Sequence, residues 1–286
     1  MTQSDPRALK LLSPSLAFIL AMVVIPMAFI LVYSFYENID LAVDRAAFQF
    51  GNWQELASDG YYHGAIWKTL RLSLIVTVLA AVLGYVPAYV IAMTQTPHKW
   101  LLLLLLIMPF WISFIIRTLS WIHIFGSQGA INSLLMALGF TDAPVAMMYN
   151  EFTVIVGFIH VFLPYMILNV YVSLDGIDRN LEPAARTLGA TPWQAFVQVT
   201  LPLSLPGLAA GGLLVFVLTG GSYVTPLILG GPRDFLFANL IYDAIVTELN
   251  WPMGATLSFT LLVLLGSVVI LYSRLMGLKQ LSRALS

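Results

Sequence analysis

Six apolar stretches, each near the length a bilayer demands, run along this chain and are parted by segments that hold most of its charge. They lie at about 11–35, 69–93, 100–123, 152–172, 207–229 and 254–273. A spanning helix needs about 20 mostly apolar residues to cross the hydrocarbon. The pattern therefore predicts an all-α membrane protein with six transmembrane helices. Prolines 26, 87, 109 and 164 fall inside these stretches. In water they would argue against helix. In a membrane bundle, neighbouring groups can satisfy the freed carbonyls, so they read as kinks or, alternatively, as hinges beside a pathway.

The first stretch follows Arg7 and Lys10, as a secretory signal would. It is longer than the usual apolar region of about 7–15 residues, and no small-x-small cleavage site closes it. It reads as a retained first span. Orientation follows the basic residues. With the N-terminus in the cytoplasm, Arg7, Lys10, Lys99, Arg179, Arg186, Arg274, Lys279 and Arg283 lie inside. Arg45 and Arg233 lie outside, with Lys68 and Arg71 at the outer edge of the second span. Six spans then return the C-terminus to the cytoplasm. The outer segment 36–67 holds Trp53, Tyr61, Tyr62 and Trp67, which suit a membrane interface. The outer segment 124–151 contains "GAINSLLMALGF", read as a short helix. "NLIYDAIVTELNWP", within 230–253, reads as a helix dipping back into the protein.

Composition agrees. Apolar residues make up 59% of the 286 and charged residues 9%, against about 25% charged in soluble domains. Mean hydropathy is +0.89. The net charge of −1 offers nothing to a nucleic acid. With no cysteine, disulfides and thiolate metal sites are excluded. His63, His98, His123 and His160 are scattered over different segments, so no metal site is expected. There is no Gly-rich Lys-Ser/Thr phosphate loop, no H-E-x-x-H and no nucleophile elbow, so the chain is not expected to be an enzyme.

The most informative stretch is 178–207, "DRNLEPAARTLGATPWQAFVQVTLPLSLPG". It holds two helix starts parted by a glycine. Asn180 or Glu182 can cap the first, with Pro183 tolerated in its first turn. Gly189 can take a positive φ and end it. Thr191 caps the second, with Pro192 at its first position and Gln194 completing a capping box. Pro202 and Pro206 are expected to break the chain before the fifth span. Small residues at 184, 185 and 189 would let another backbone approach, as helix-in-groove recognition requires. A plain connector lying on the membrane surface fits the same residues equally well.

The stretch resembles the EAA loop of ABC importer permeases: Glu-Ala-Ala, three residues, Gly, nine residues, an aliphatic, any residue, Leu-Pro. Ala184, Ala185, Gly189, Val199, Leu201 and Pro202 fall in register. The glutamate position holds Pro183, with Glu182 one residue earlier. Residues 109–139, 157–178, 220–232 and 250–263 resemble the spermidine/putrescine class of these permeases.

That resemblance implies the type I ABC importer permease fold and a permease subunit forming half of a translocation pathway. It implies a core at 69–275 with five transmembrane helices, including the cytoplasmic coupling loop 178–206. Residues 1–68 would be a first helix and outer loop, and 276–286 a cytoplasmic tail. The implied partners are a second permease subunit, paralogous to this one, an ATPase subunit dimer and an extracytoplasmic substrate-binding protein, around a lipid bilayer. ATP and Mg would reside in the ATPase, with no cofactor in this chain. Glu182, Ala184, Ala185, Arg186 and Gly189 would sit in or beside the ATPase groove. The implied location is the bacterial inner membrane, with both termini cytoplasmic. The implied substrate is a polyamine; an opine, amino-acid derivative or other small organic solute is the alternative. A self-contained secondary transporter is the reading from a different class.

Six residues stand out as pathway candidates. Arg117 lies near the end of the third span, where an unpaired charge costs about 2.5–3.5 kcal/mol at mid-membrane. It reads as a gate or pathway charge, or as a side chain snorkelling to the outer interface. Asp243 and Glu248 read as cation-drawing or receptor-binding groups, or as a solvated face. Trp121, Tyr223 and Trp251 can stack on alkylammonium groups, or simply pack. His160 reads as an interhelical hydrogen-bonding group.

Overall fold

Apolar runs with no water to bond their amides must pair every N–H and C=O internally, and the α-helix does this within one segment. The computed structural model describes residues 6–41 and 43–284, with side chains over 13–41 and 43–274. The basic side chains counted at Arg7, Lys10, Lys279 and Arg283, and the last two tail residues, lie outside the described ones. In chain order, α1 (Pro6–Tyr33) leads into a small hairpin of β1 (Glu37–Asp40) and β2 (Val43–Arg45). Then come α2 (Gly51–Ser58), α3 (Gly60–Met93), α4 (Lys99–Ile107), α5 (Phe114–Phe125), α6 (Ala130–Ala137) and α7 (Glu151–Asp175). The order continues with α8 (Leu181–Thr187), α9 (Pro192–Ala195), α10 (Leu201–Gly220), α11 (Val224–Leu229), α12 (Phe237–Tyr242) and α13 (Trp251–Ala284).

Among the described residues, five helices are long and apolar enough to cross a membrane: Ser13–Tyr33, Gly60–Met93, Glu151–Asp175, Pro192–Gly220 and Trp251–Arg274. A sixth crossing exists if one bent pair, Lys99–Trp111 with Phe114–Ala137, counts as a single span. The expected continuous helix at 100–123 is thus corrected. The two halves differ in direction by 89°. Pro109 has no N–H to continue the α ladder. The chain tightens into a 3-10 turn over Met108–Trp111 and turns extended at Ile112 before α5 starts. Pro26, Pro87 and Pro164, by contrast, stay inside unbroken helices. "GAINSLLMALGF" does hold a short helix, α6.

The fifth span is corrected at both ends. Helical backbone starts at Pro192 and ends at Gly220, and 224–229 is a separate helix. Pro202 and Pro206 do not break it. A π turn, Phe196–Thr200, precedes them, with the Leu201 N–H reaching back five residues to the Phe196 carbonyl. This wider turn carries the helix up to the residue that cannot donate.

The chain forms two compact units. The first gathers Met1–His63 with Leu240–Gly266. Its knot is Ser34, fully buried at the end of α1. The Ser34 carbonyl accepts from Asn52 Nδ2 at 2.9 Å and from Thr256 Oγ1 at 3.3 Å, and its hydroxyl accepts from Trp53 Nε1 at 3.2 Å. Phe35 packs with Phe48, Phe50 and Trp53 around it. Asn250 Oδ1 accepts the Met253 N–H at 3.1 Å, capping α13.

The second unit gathers Gly64–Asn239 with Ser267–Ser286. Its core sets Leu72, Val76 and Ala80 of α3 with Val154, Phe158, Met166 and Val170 of α7 and Val215 of α10. Ion pairs hold both ends of α7: Arg71–Glu151 at its start and Lys99–Asp175, at 2.5 Å, at its end. α7 and α10 approach closely. A Cβ on Gly207 would lie 2.4 Å from Ser173 Cβ and 2.5 Å from the Asn169 carbonyl oxygen. On Gly211 it would lie 2.9 Å from the Met166 sulfur. Small residues here let two backbones touch, which drives helix association in lipid.

Gly207→Ala should therefore force α10 off α7 and cost about 1–3 kcal/mol, the usual cost of overpacking. Gly212→Ala, whose Cβ would meet only Thr77 Cγ2 at 3.4 Å, should be tolerated. Thermal unfolding of the detergent-solubilised protein checks the pair.

Candidate functional site

The segment between α7 and α10 builds a two-faced element. Its first helix, α8, gains no side-chain cap from Asn180, which has helical φ and ψ. Asp178 Oδ1 accepts the Asn180 N–H instead, at 3.0 Å. Glu182 does not cap either. It takes Arg186 Nη2 at 2.6 Å, one helical turn on. The end of α8 follows the sequence expectation. Gly189 sits at φ +94°. Its N–H bonds to the Arg186 carbonyl and the Ala190 N–H to the Ala185 carbonyl, at 3.0 and 3.1 Å. This pair of bonds closes a helix whose next residue is left-handed. The capping box also forms: Gln194 N–H donates to Thr191 Oγ1 at 3.3 Å, and Thr191 N–H to Gln194 Oε1 at 2.8 Å.

The inner face of the element borders a cleft of 310 Å³. Met93, Arg179, Glu182, Pro183, Arg186 and Thr200 are among its lining residues. Glu182, with a side chain 20% exposed, thus faces the cleft and pairs within its own helix. Nearby, Asp175 accepts from Lys99 and from the Tyr171 hydroxyl at 3.2 Å, and Arg179 forms a longer ion pair with it at 3.8 Å.

The outer face presents Ala184 and Gly189 exposed and Ala185 half-buried, while Arg186, which lines the cleft and pairs with Glu182, is itself exposed at its edge. Beside them stand two residues that the sequence pattern did not single out. Leu188 is 89% exposed and Trp193 71%. A large apolar side chain next to a left-handed glycine in a charged loop was the available signal. Phe196 was missed as well. It stacks on Trp193 at 5.6 Å and meets Tyr85 and Tyr89 of α3 edge-on at 5.8 and 5.6 Å. It pins the start of the long 192–220 helix against α3.

The six pathway candidates fall in different places. Arg117 and Trp121 share one face of α5, a turn apart. Arg117 is 8% exposed, so the snorkelling reading is corrected: the side chain turns into the protein. Its Nε and Nη1 are buried without a hydrogen-bond partner. Trp121 stacks on Phe125 at 5.1 Å and donates Nε1–H to His160 Nδ1 on α7 at 3.2 Å, so His160 makes the expected interhelical bond. Tyr223, in the same unit, stands just before α11, and its carbonyl accepts from Asn239 Nδ2 at 2.9 Å. Asp243, Glu248 and Trp251 belong to the first unit. Asp243 opens a π turn and Glu248 follows it, its N–H bonded to the Asp243 carbonyl at 2.9 Å. Leu249 then reverses the chain at φ +55°, and Trp251 opens α13, 49% exposed. Among the described residues, no three His, Cys, Asp or Glu gather as metal ligands.

Residues 60–276 match the family described as binding-protein-dependent transport system inner membrane component. The chain is 34% identical to the spermidine/putrescine transport system permease protein PotB of Escherichia coli (strain K12). That match spans 88% of this chain and 91% of PotB. It is 29% identical to the inner membrane ABC transporter permease protein YdcU of the same strain, over 73% of this chain and 71% of that one. In structure it resembles a chain of a bacterial ABC transporter involved in the import of the acidic polysaccharide alginate, with a TM-score of 0.72 at 17% identity. That superposition covers 95% of both chains. The chain belongs to the binding-protein-dependent inner membrane permease family. It is a multi-pass inner-membrane protein and has the type I ABC importer permease fold.

Thr191→Ala removes one half of the capping box, a loss of about 0.5–2 kcal/mol to the helix start. Amide hydrogen exchange over 191–200 should accelerate several-fold, while exchange in the centre of α7 stays unchanged.

Proposed function

We propose that this permease forms half of a translocation pathway for a polyamine-class cation, and that ATPase subunits drive it by gripping segment 178–206. The polyamine assignment rests on the likeness to PotB over 88% of the chain. The observation that carries the coupling is continuity. From Pro192 to Gly220 the backbone is one helical run. Its first turns belong to the exposed element and its middle touches α7 through Gly207 and Gly211. A displacement applied at the element is therefore delivered to the core of the bundle without a flexible joint.

A second permease subunit would complete the pathway, and a soluble extracytoplasmic protein would deliver the solute. ATP and Mg would be held by the ATPase dimer, which clamps beneath. Leu188 and Trp193, with Ala184, Ala185, Arg186 and Gly189, form the face offered to its groove. ATP binding then acts by population shift, because closure of the ATPases fits one geometry of the permease pair better than the other. Converting a 1:99 mixture to 99:1 takes a preference of about 5.5 kcal/mol. The distribution of Lys and Arg supports a topology with both termini and segment 178–206 in the cytoplasm.

Leu188→Asp leaves every described contact of α8 in place, because the side chain is 89% exposed. It should lower ATPase co-purification and ATP-driven spermidine uptake in proteoliposomes by tenfold or more. Unchanged association and uptake would remove the coupling role. The chain has no cysteine, so a single Leu188→Cys variant reports sidedness directly: an impermeant thiol reagent should label it from the cytoplasmic side alone.

A further inference from the structure

Arg117 is a buried cation whose Nε and Nη1 have no acceptor. A guanidinium carries five N–H donors, no acceptor, and keeps its proton in proteins. Burying one unpaired is strongly unfavourable, in a protein interior as in a bilayer. The acids of its own unit that have described partners face elsewhere. Glu151 pairs with Arg71, Asp175 with Lys99 and Arg179, and Glu182 with Arg186. Asp178 takes the Asn180 N–H and Asp234 the Gly231 N–H. The Thr118 hydroxyl, next along α5, donates to the Phe114 carbonyl at 3.0 Å.

The titratable neighbour is His160 of α7, which meets Trp121, one turn along α5 from Arg117. Its Nδ1 accepts from Trp121. An indole nitrogen can only donate, so Nδ1 is unprotonated and the neutral ring carries its proton on Nε2. His160 is exposed at the surface of the chain. The polar groups left over at this place, Arg117 Nε and Nη1 and His160 Nε2–H, are therefore all donors. A cluster of donors around a fixed positive charge matches a planar oxyanion, which a guanidinium binds through two parallel bonds.

We infer that Arg117, with His160 beside it, receives a carboxylate-type oxyanion from outside this chain. The inference rests on the reading of the chain as one half of a permease pair. Two sources carry that chemistry: an Asp or Glu of the second permease subunit, and the anionic end of a solute in transit.

The test uses the whole importer in proteoliposomes, with Arg117→Gln and Arg117→Lys. If the second subunit supplies the carboxylate, Arg117→Gln loosens its co-purification by tenfold or more. Arg117→Glu is then rescued by one acid-to-Lys reversal in that subunit. If a solute supplies it, assembly is unchanged. Uptake of 4-aminobutyrate then falls tenfold or more, while uptake of putrescine, the matched diamine without a carboxylate, stays within twofold. In either case Arg117→Lys recovers part of the loss, because it keeps the charge and loses only the fork. The inference is overturned if Arg117→Gln leaves assembly and both uptakes within twofold. It is equally overturned if Lys and Gln are equally defective, since then shape and not charge is needed. Co-purification of the wild-type chain with its ATPase, read in the same preparations, tests the permease reading separately.

Discussion

The contact between α7 and α10 is the constraint on which the second unit depends. In lipid there is little hydrophobic drive between helices, so association rests on close packing and interhelical hydrogen bonds. Gly207 and Gly211 remove the side chains that would hold the two backbones apart, and Asn169, Ser173 and Met166 fill the space they leave. The helical run that begins in segment 178–206 leads along α10 into this contact. The π turn at Phe196–Thr200 sets its phase. One added residue rotates the downstream part of a helix by roughly 100° around its axis. The turn thus decides that Gly207 and Gly211 face α7, while Phe196 faces Tyr85 and Tyr89.

Beside that close-packed seam, the ion pairs made by α7 lie at its two ends. Ion pairs tie the two ends of α7 to α3 and α4, where partial exposure makes each of modest energetic weight. They act more as register marks than as a source of stability, because a one-turn slip of α7 would separate both pairs together. Arg117 departs from this pattern. A cation kept inside without an acceptor is a standing cost, and a chain that retains one meets its acceptor somewhere else in its working cycle. The same holds for the donor face of His160, whose other nitrogen Trp121 already occupies.

Much of the element at 178–206 could be read directly from residue types. Thr191, Pro192 and Gln194 encode a helix start by local hydrogen bonding, and Gly189 encodes a stop by backbone sterics. Both appear in the structure because such signals need no tertiary partner. The six apolar stretches were legible for the same reason, since solvent alone dictates them. What escaped depends on longer-range geometry. Pro109 breaks its span by 89° while Pro87 and Pro164 leave theirs whole, and nothing local separates these prolines. Pro202 and Pro206 looked like breakers because a π turn is not visible in residue spacing. The burial of Arg117 depends on which way α5 leaves the Pro109 break, so its place in the sequence did not show that the side chain turns inward.

The placement of Glu182 changes how a partner could hold the element at 178–206. A carboxylate bonded to Arg186 within one helical turn, and directed into a cleft of its own chain, is poorly placed to pair with a cation elsewhere. With Pro183 beside it, α8 offers no free acidic group at that point. The outer face instead offers Leu188, Trp193 and the small residues around Gly189. Covering one such large apolar side chain contributes about 1.5–3 kcal/mol, more than an exposed ion pair typically gives. A grip of that kind depends on shape and on exclusion of water. It weakens little with ionic strength, whereas an exposed charge pair is screened within about a Debye length. The helix stop at Gly189 then matters for geometry as well as for termination: it fixes the angle between Leu188 and Trp193, which lie on either side of the turn and which a single groove covering both would have to match.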